Sequence, residues 1–253
     1  MNIRILTYDS LGSTNTEALE MARKGADEGL CIIAREQTAG RGRHGRTWVS
    51  EPDAGLYFSI VLRPSLPPES LPLITLMAGV AVYVTLSELG LSPDIKWVND
   101  VLVGEKKISG ILAETTMTDK GLAVILGIGI NIRSSNFPPE LFDRATSIED
   151  SVSHPEQVPS SARLAATLTD AIRHFYAQLT ASGGPEVILS DWRDCSTYFT
   201  GKRVKVRAFD QTLIGTTEGL EPNGALRLRK SDGDIVVIQA GDVEQLRADA
   251  AAD

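Results

Sequence analysis

An α+β fold with a mainly antiparallel sheet, followed by a small β-barrel-like domain, is what this sequence predicts. Two observations carry that prediction: strand-like runs joined by hairpin signals instead of alternating with helices, and a change after Cys195 from long periodic segments to short strands. Near the start, Thr14-Asn15-Thr16-Glu17 has the S/T-x-x-E form of a capping box. Ala18, Leu19, Met21 and Ala22 extend it as a short amphipathic helix ending near Gly25. Strands are predicted at 30–37 and 56–63, and a long helix at 72–90. Gly104-Glu105 joins a hairpin-like pair at 101–104 and 107–117, and another strand covers 122–132. Residues 133–157, rich in Ser, Asn, Pro and Asp, read as a connecting loop. Helices follow at 160–181, with Leu164, Leu168, Ile172, Phe175 and Leu179 on one face, and at 185–193. Short strands at 202–208, 212–218, 225–229 and 235–239 are separated by turn signals including Pro222-Asn223-Gly224 and Asp232-Gly233-Asp234. The expected division is a domain at 1–195, a β domain at 196–247 and a disordered tail at 248–253.

A chain of 253 residues is long enough for about one and a half to two domains and a sizeable core. The formal net charge of −8 argues against non-specific binding to nucleic acid or anionic lipid, so any positive field must be local. Cys31 and Cys195 have no paired spacing and read as free thiols in a reducing compartment. His44, His154 and His174 are scattered, without the spacing of a zinc or transition-metal site. The N-terminus lacks the apolar stretch of a signal peptide, which predicts a cytoplasmic protein. Residues 71–91 are apolar but interrupted by Pro72, Thr75, Thr85, Ser87 and Glu88, as in a buried core helix and not a membrane span.

The local positive field is Gly40-Arg41-Gly42-Arg43-His44-Gly45-Arg46. Arginine offers a planar fork of donors to carboxylate or phosphate, and glycine lets backbone approach a ligand closely. The three glycines also match a dinucleotide-binding fingerprint after the strand at 30–37. No helix can follow, because Trp48, Pro52, Asp53 and Gly55 occupy its place. Alone, the heptamer reads equally well as a solvated basic loop. Four further segments stand beside it: Ser13-Thr14-Asn15, Gln37, Lys96-Trp97-Val98-Asn99-Asp100 with Lys107-Ile108-Ser109-Gly110-Ile111-Leu112, and Gly127-Ile128-Gly129-Ile130-Asn131. Each has a plainer reading as a cap, a turn former, a strand-edge lysine or core. Together they supply a carboxylate, an amide, a lysine and an arginine-glycine loop, the parts needed to activate a carboxylic acid with a nucleoside triphosphate by positioning and charge neutralisation.

In this order, those segments closely resemble the biotin protein ligase family, in its short form without an N-terminal DNA-binding domain. The resemblance covers most of the chain, and the G-R-G-R-x-G-R-x-W block carries it most specifically. It implies a class II synthetase-like catalytic domain followed by an SH3-like β-barrel. It also implies two half-reactions: biotin and ATP give biotinyl-5′-adenylate, and biotin then passes to a lysine of a biotin carboxyl carrier protein domain of a biotin-dependent carboxylase. By resemblance, Ser13, Thr14, Asn15 and Gln37 hold the polar end of biotin, with Arg41, Gly42 and Arg43 closing over it and Lys107 beside its carboxylate. Arg46, Trp48, Asn99, Asp100 and Asn131 face ATP, with Trp48 and Asn131 at the adenine. Asp100 reaches magnesium and assists loss of the acceptor lysine's proton, Lys107, Arg43 and Asp100 act in catalysis, and residues 133–142 order over the nucleotide. Only 12 residues precede Ser13, against the two or three helices of ~11–12 residues that a DNA-binding domain needs. Neither DNA nor membrane is an expected partner, and monomer or homodimer stays open. Val98 stands where the family usually has proline, which frees φ and restores an N–H before Asn99 and Asp100. The alternatives are a lipoate or octanoate ligase of the same superfamily, or a non-catalytic module that senses biotin or binds carrier domains.

Overall fold

A computed structural model describes residues 1–134, 137–208 and 211–245; the tail expected at 248–253 lies outside them. In chain order the first part contains β1 (Arg4–Leu11), α1 (Thr14–Arg23), β2 (Leu30–Gln37), β3 (Gly55–Leu62), α2 (Leu73–Ser87), β4 (Pro93–Lys96), β5 (Asp100–Val103), β6 (Lys106–Thr118) and β7 (Gly121–Asn131). Then come α3 (Ile148–Ser151), α4 (Ser161–Leu179) and α5 (Gly184–Asp194). A seven-stranded sheet has the order β1-β2-β3-β7-β6-β5-β4, parallel only between β1 and β2. All eight residues of β3 are buried, which fits its central place between β2 and β7.

Period-two alternation splits the sheet between two apolar layers. Cys31, Ile33, Phe58 and Ile60 pack with α2, α4 and α5, while Leu30, Ile32, Val61 and Ile125 pack under Ala18 and Ala22 of α1. The apolar α2 is the centre of the first layer, with eleven buried residues, as expected for a core helix. The same burial raises the Cys31 thiol to about 12 and helps raise that of Cys195 to about 11; both cysteines are free.

Strands β8 (Thr200–Ala208), β9 (Gln211–Leu220), β10 (Leu226–Arg229), β11 (Ile235–Ile238) and β12 (Asp242–Gln245) form an antiparallel sheet of order β11-β10-β9-β8-β12. Val204, Val206, Leu226, Leu228 and Val243 join the same apolar cluster as α2. Trp97 is buried there, and its indole Nε1 donates to the Gly224 carbonyl at 2.9 Å. Docking in this way carries the β12 end of the second sheet to the face of the first.

Strands β1, β4 and β12 escape the sequence reading. β1 is an edge strand whose Ile5 is exposed, and the two others are four residues long, with Pro93 opening β4. The capping box is a further difference. Ser13, not Thr14, is the N-cap of α1 and makes no side-chain cap bond. The exposed donor at the helix start is taken by Gln37 from β2, whose Oε1 accepts from the Thr14 N–H at 2.8 Å.

Candidate functional site

The start of α1, the end of β2 and the middles of β3, β6 and β7 enclose a cavity of about 110 Å³. Its floor is written in the sheet register: Ser59 pairs with Gly127, Gly110 with Gly129, and Leu112 with Gly127, so these positions and Glu114 share one face. A Cβ at Gly127 would collide with Asn15 Oδ1, and one at Gly129 with the Trp48 indole. Glycine there makes room for both side chains. The polar groups are tied to one another. Ser59 Oγ lies 2.6 Å from Asn15 Oδ1 and 2.8 Å from Thr14 Oγ1, and Thr14 Oγ1 lies 3.1 Å from Gln37 Oε1. On the far side, Gln37 Nε2 donates to Ser50 Oγ at 2.8 Å, and Ser50 donates to the Trp48 carbonyl at 3.0 Å.

The arginine-glycine segment closes as a loop over this cavity. An isolated antiparallel bridge joins Arg41 to Thr47, the Trp48 N–H donates to the Gly40 carbonyl at 3.0 Å, and a 3₁₀ turn at Arg43–Gly45 forms the tip. No helix follows before β3, as the rejection of the dinucleotide fingerprint required. Each arginine has its own anchor. Arg41 pairs with Glu114 at 2.7 Å, Arg43 donates to Asn99 Oδ1 at 2.9 Å and to the Gly241 carbonyl at 3.3 Å, and Arg46 pairs with Asp242. Burial pulls the Arg43 pKa down against Asp242 and Asp100, which hold its charge. Two of the three anchors thus come from the turn into β12.

Lys107 and Asp100 stand where this cavity meets a larger cleft of about 700 Å³. Asp100 Oδ1 pairs with Lys107 Nζ at 2.6 Å and Oδ2 with Lys96 Nζ at 2.9 Å. Burial pushes this carboxyl upward, but the two ammonium groups more than offset that and hold it at about 2. The Lys107 ammonium lies 5.3 Å from the centroid of the Trp48 ring. Its backbone is fixed as well: the Lys107 N–H donates to the Arg144 carbonyl at 2.8 Å, and its carbonyl accepts from the Thr146 N–H at 2.9 Å. The Trp97–Val98 peptide just before Asn99 is cis.

Twelve of the thirteen residues singled out in the sequence line the smaller cavity: Ser13, Thr14, Asn15, Gln37, Arg41, Gly42, Arg43, Arg46, Trp48, Asn99, Asp100 and Lys107. Asn131 lines only the larger cleft. Its Nδ2 donates to the Thr146 carbonyl at 3.0 Å, which ties the 144–146 segment to the end of β7. Phe137 and Leu141, from the described part of the 133–142 segment, also line the larger cleft. Among the described residues no three His, Cys, Asp or Glu side chains form a metal cage. Both Asp100 oxygens already face lysines. The donor set fits magnesium carried on nucleotide phosphates, with at most one carboxylate from the chain.

Ser59, Glu114 and Asp242 are site residues that the sequence reading missed. Ser59 is the one polar side chain in the strand Leu56-Tyr57-Phe58-Ser59-Ile60-Val61-Leu62, and its period-two relation to Tyr57 was a usable signal. Glu114 continues the alternation of Gly110 and Leu112. Asp242 had no local signal, since its place depends on how the second sheet docks.

Residues 8–131 match the biotin/lipoate A/B protein ligase family, and residues 199–245 match the biotin protein ligase C-terminal domain. The chain is 35% identical over 244 residues to the biotin–[acetyl-CoA-carboxylase] ligase of Mycobacterium tuberculosis, covering 93% of this chain and 86% of that protein. It is 34% identical over 248 residues to the bifunctional ligase/repressor BirA of Bacillus subtilis, covering 96% of this chain and 74% of that one. The structure of the biotin protein ligase from Aquifex aeolicus in complex with biotin and ATP aligns with a TM-score of 0.81 at 27% identity, covering 97% of this chain and 99% of that chain. With sequence matches over nearly its whole length and the fold in agreement, the chain belongs to the biotin protein ligase family.

Proposed function

We propose that this protein activates biotin with ATP as biotinyl-5′-adenylate, releasing pyrophosphate, and transfers the biotinyl group to a lysine of a biotin carboxyl carrier protein. One observation carries the reading: a small polar cavity opens into a large cleft lined by charged side chains of both signs, with Lys107 lining both. A ligand with a hydrogen-bonding head in the first and a carboxylate at its other end brings that carboxylate to the phosphates of a nucleotide in the second. The Ser13 side chain makes no cap hydrogen bond, and its hydroxyl is available to the ring carbonyl of biotin. Thr14 Oγ1, facing two acceptors with one proton, has lone pairs for a ring N–H.

In the first half-reaction a biotin carboxylate oxygen forms a bond to the α-phosphorus, the bond from that phosphorus to the bridging oxygen breaks, and pyrophosphate leaves with the electron pair. Lys107, aligned by Asp100, stabilises charge on the phosphoryl oxygens, and a preorganised donor of this kind contributes about 3–4 kcal/mol to the transition state. Magnesium, if brought by the nucleotide, would add charge neutralisation, with Asp100, beside Lys107, as the carboxylate to reach it. Trp48 offers an aromatic face beside Lys107, and Arg43 and Arg46 keep the loop closed, protecting the mixed anhydride from water. In the second half-reaction the acceptor amine attacks the anhydride carbonyl and AMP leaves. A carboxyl held at about 2 accepts a proton poorly, so we assign Asp100 the positioning of Lys96 and Lys107, not the proton transfer that the resemblance implied.

The proposed setting is the cytoplasm, with a carrier domain as macromolecular partner and without DNA or membrane. The division of labour follows the two sheets: residues up to about 195 bind biotin and ATP, and the second sheet braces the loop through Gly241 and Asp242. Pyrophosphate exchange into ATP, with and without magnesium, tests the assignment. Exchange that depends on biotin and magnesium is expected. Exchange with lipoate or octanoate but not biotin would reverse the substrate assignment, and none with any acid would favour a binding module.

A further inference from the structure

Behind the lining of the polar cavity, bonded to Asn15 and Arg41, is an anion that the reaction does not consume. Glu114 Oε2 accepts from Asn15 Nδ2 at 2.8 Å and from Arg41 Nη2 at 2.7 Å. A carboxylate paired to a guanidinium can only accept, so the Asn15 amide must turn its NH₂ toward Glu114, where that group also reaches the Leu112 carbonyl at 3.2 Å. Asn15 Oδ1 then faces Ser59 as a pure acceptor. The single Ser59 proton is committed to it along the 2.6 Å contact, and the Ser59 oxygen is left to accept from Thr14. A matching relay comes from the other side: the Trp48 carbonyl fixes Ser50, Ser50 fixes Gln37 Nε2, and Gln37 Oε1 faces Thr14. Both relays converge on Thr14, whose proton points inward and whose lone pairs point toward the ligand.

We propose that Glu114 is a positioning residue that sets the donor-acceptor polarity of the biotin pocket through Asn15, making Thr14 an acceptor for a ring N–H. This rests on the assignment of biotin as substrate. Arg41, by the same contact, is tethered to the pocket floor and not spent on the ligand. Replacing Glu114 by glutamine keeps the shape but supplies an NH₂ as well as a carbonyl, so the Leu112 carbonyl alone is left to orient the Asn15 amide and the direction of the hydroxyl protons downstream is less firmly set.

The test is pyrophosphate exchange by the full chain, comparing wild type with Glu114→Gln, Asn15→Ala and the double variant. Biotin is set against an analogue methylated on the ring nitrogen that would face Thr14, which has no N–H to donate there. The expected result for Glu114→Gln is a biotin KM raised about tenfold with kcat and ATP KM within about twofold. Preference for biotin over the analogue should fall by a similar factor, and Asn15→Ala should cost little more in the Glu114→Gln background than alone. An unchanged biotin KM, full additivity with Asn15→Ala, or equal losses in biotin KM, ATP KM and kcat would each overturn the proposal. A wild type inactive with biotin would instead sink the substrate assignment on which it rests.

Discussion

The small polar cavity and the large charged cleft share a wall but are organised by different physics. In the cavity, hydroxyls and amides are chained by hydrogen bonds whose direction is fixed by groups that can only accept: Glu114 at one end and the Trp48 carbonyl at the other. In the cleft, Lys96 and Lys107 are neutralised in part by Asp100, and Arg46 by Asp242. The first arrangement costs little to use, because a neutral ring replaces water against groups already aimed. The second is held in balance by internal counter-ions, and a nucleotide must compete with them. Head-group recognition is therefore a matter of polarity and shape, and nucleotide recognition one of charge.

Separating the two regions at their junction gives the largest expected effect. Lys107→Ala should slow adenylate formation about 10²- to 10³-fold while changing biotin affinity by less than about threefold, as judged by single-turnover quench and calorimetry. Comparable losses in both would merge the two regions into one. Next, Gly127→Ala forces a Cβ into Asn15 and should raise the biotin KM up to about 100-fold with a much smaller change for ATP. A matched rise in ATP KM would mean that the cavity and the cleft are not independent.

Opening the loop sharpens the contrast differently. Arg43→Ala removes the bonds to Asn99 and the Gly241 carbonyl, and adenylate should escape into solution where the wild type retains it. Filtration after a single turnover reads the free fraction, and unchanged retention would remove Arg43 from the closing device. The smallest effect concerns stability. Because the folded Asp100 carboxyl is held at about 2, below its unfolded value, its contribution is present above about pH 4 and lost as pH falls toward 2. It amounts to about 2 kcal/mol. Asp100→Asn should lower the melting temperature at neutral pH and flatten that acid dependence; identical acid profiles would show that the lysines do not depend on this carboxylate.

The cavity was more legible in the sequence than the cleft, for a physical reason. Gln37, Ser13 to Asn15 and the Gly127 and Gly129 floor lie on elements whose period and turn chemistry are local, so their blocks could be read directly. Glu114 and Ser59 sit on the same alternation and were missed only because neither belongs to a dense block. Asn131 was found for its motif, but its amide turned out to hold the 144–146 segment, a bond set by tertiary contact. Asp242 and the Gly241 carbonyl reach the site across 196 and 198 residues of chain. No local pattern encodes that docking, which rests on the apolar core that the second sheet shares with α2.

Salt dependence tests the separation of polarity from charge most directly. In one pyrophosphate-exchange assay, the KM values for biotin and ATP would be measured as monovalent salt rises from about 50 to 500 mM. The account predicts that the ATP KM climbs several-fold while the biotin KM stays within about twofold, because only in the cleft do ionic contacts to the ligand carry recognition. Parallel rises in both constants, or a biotin KM more sensitive than that for ATP, would contradict it.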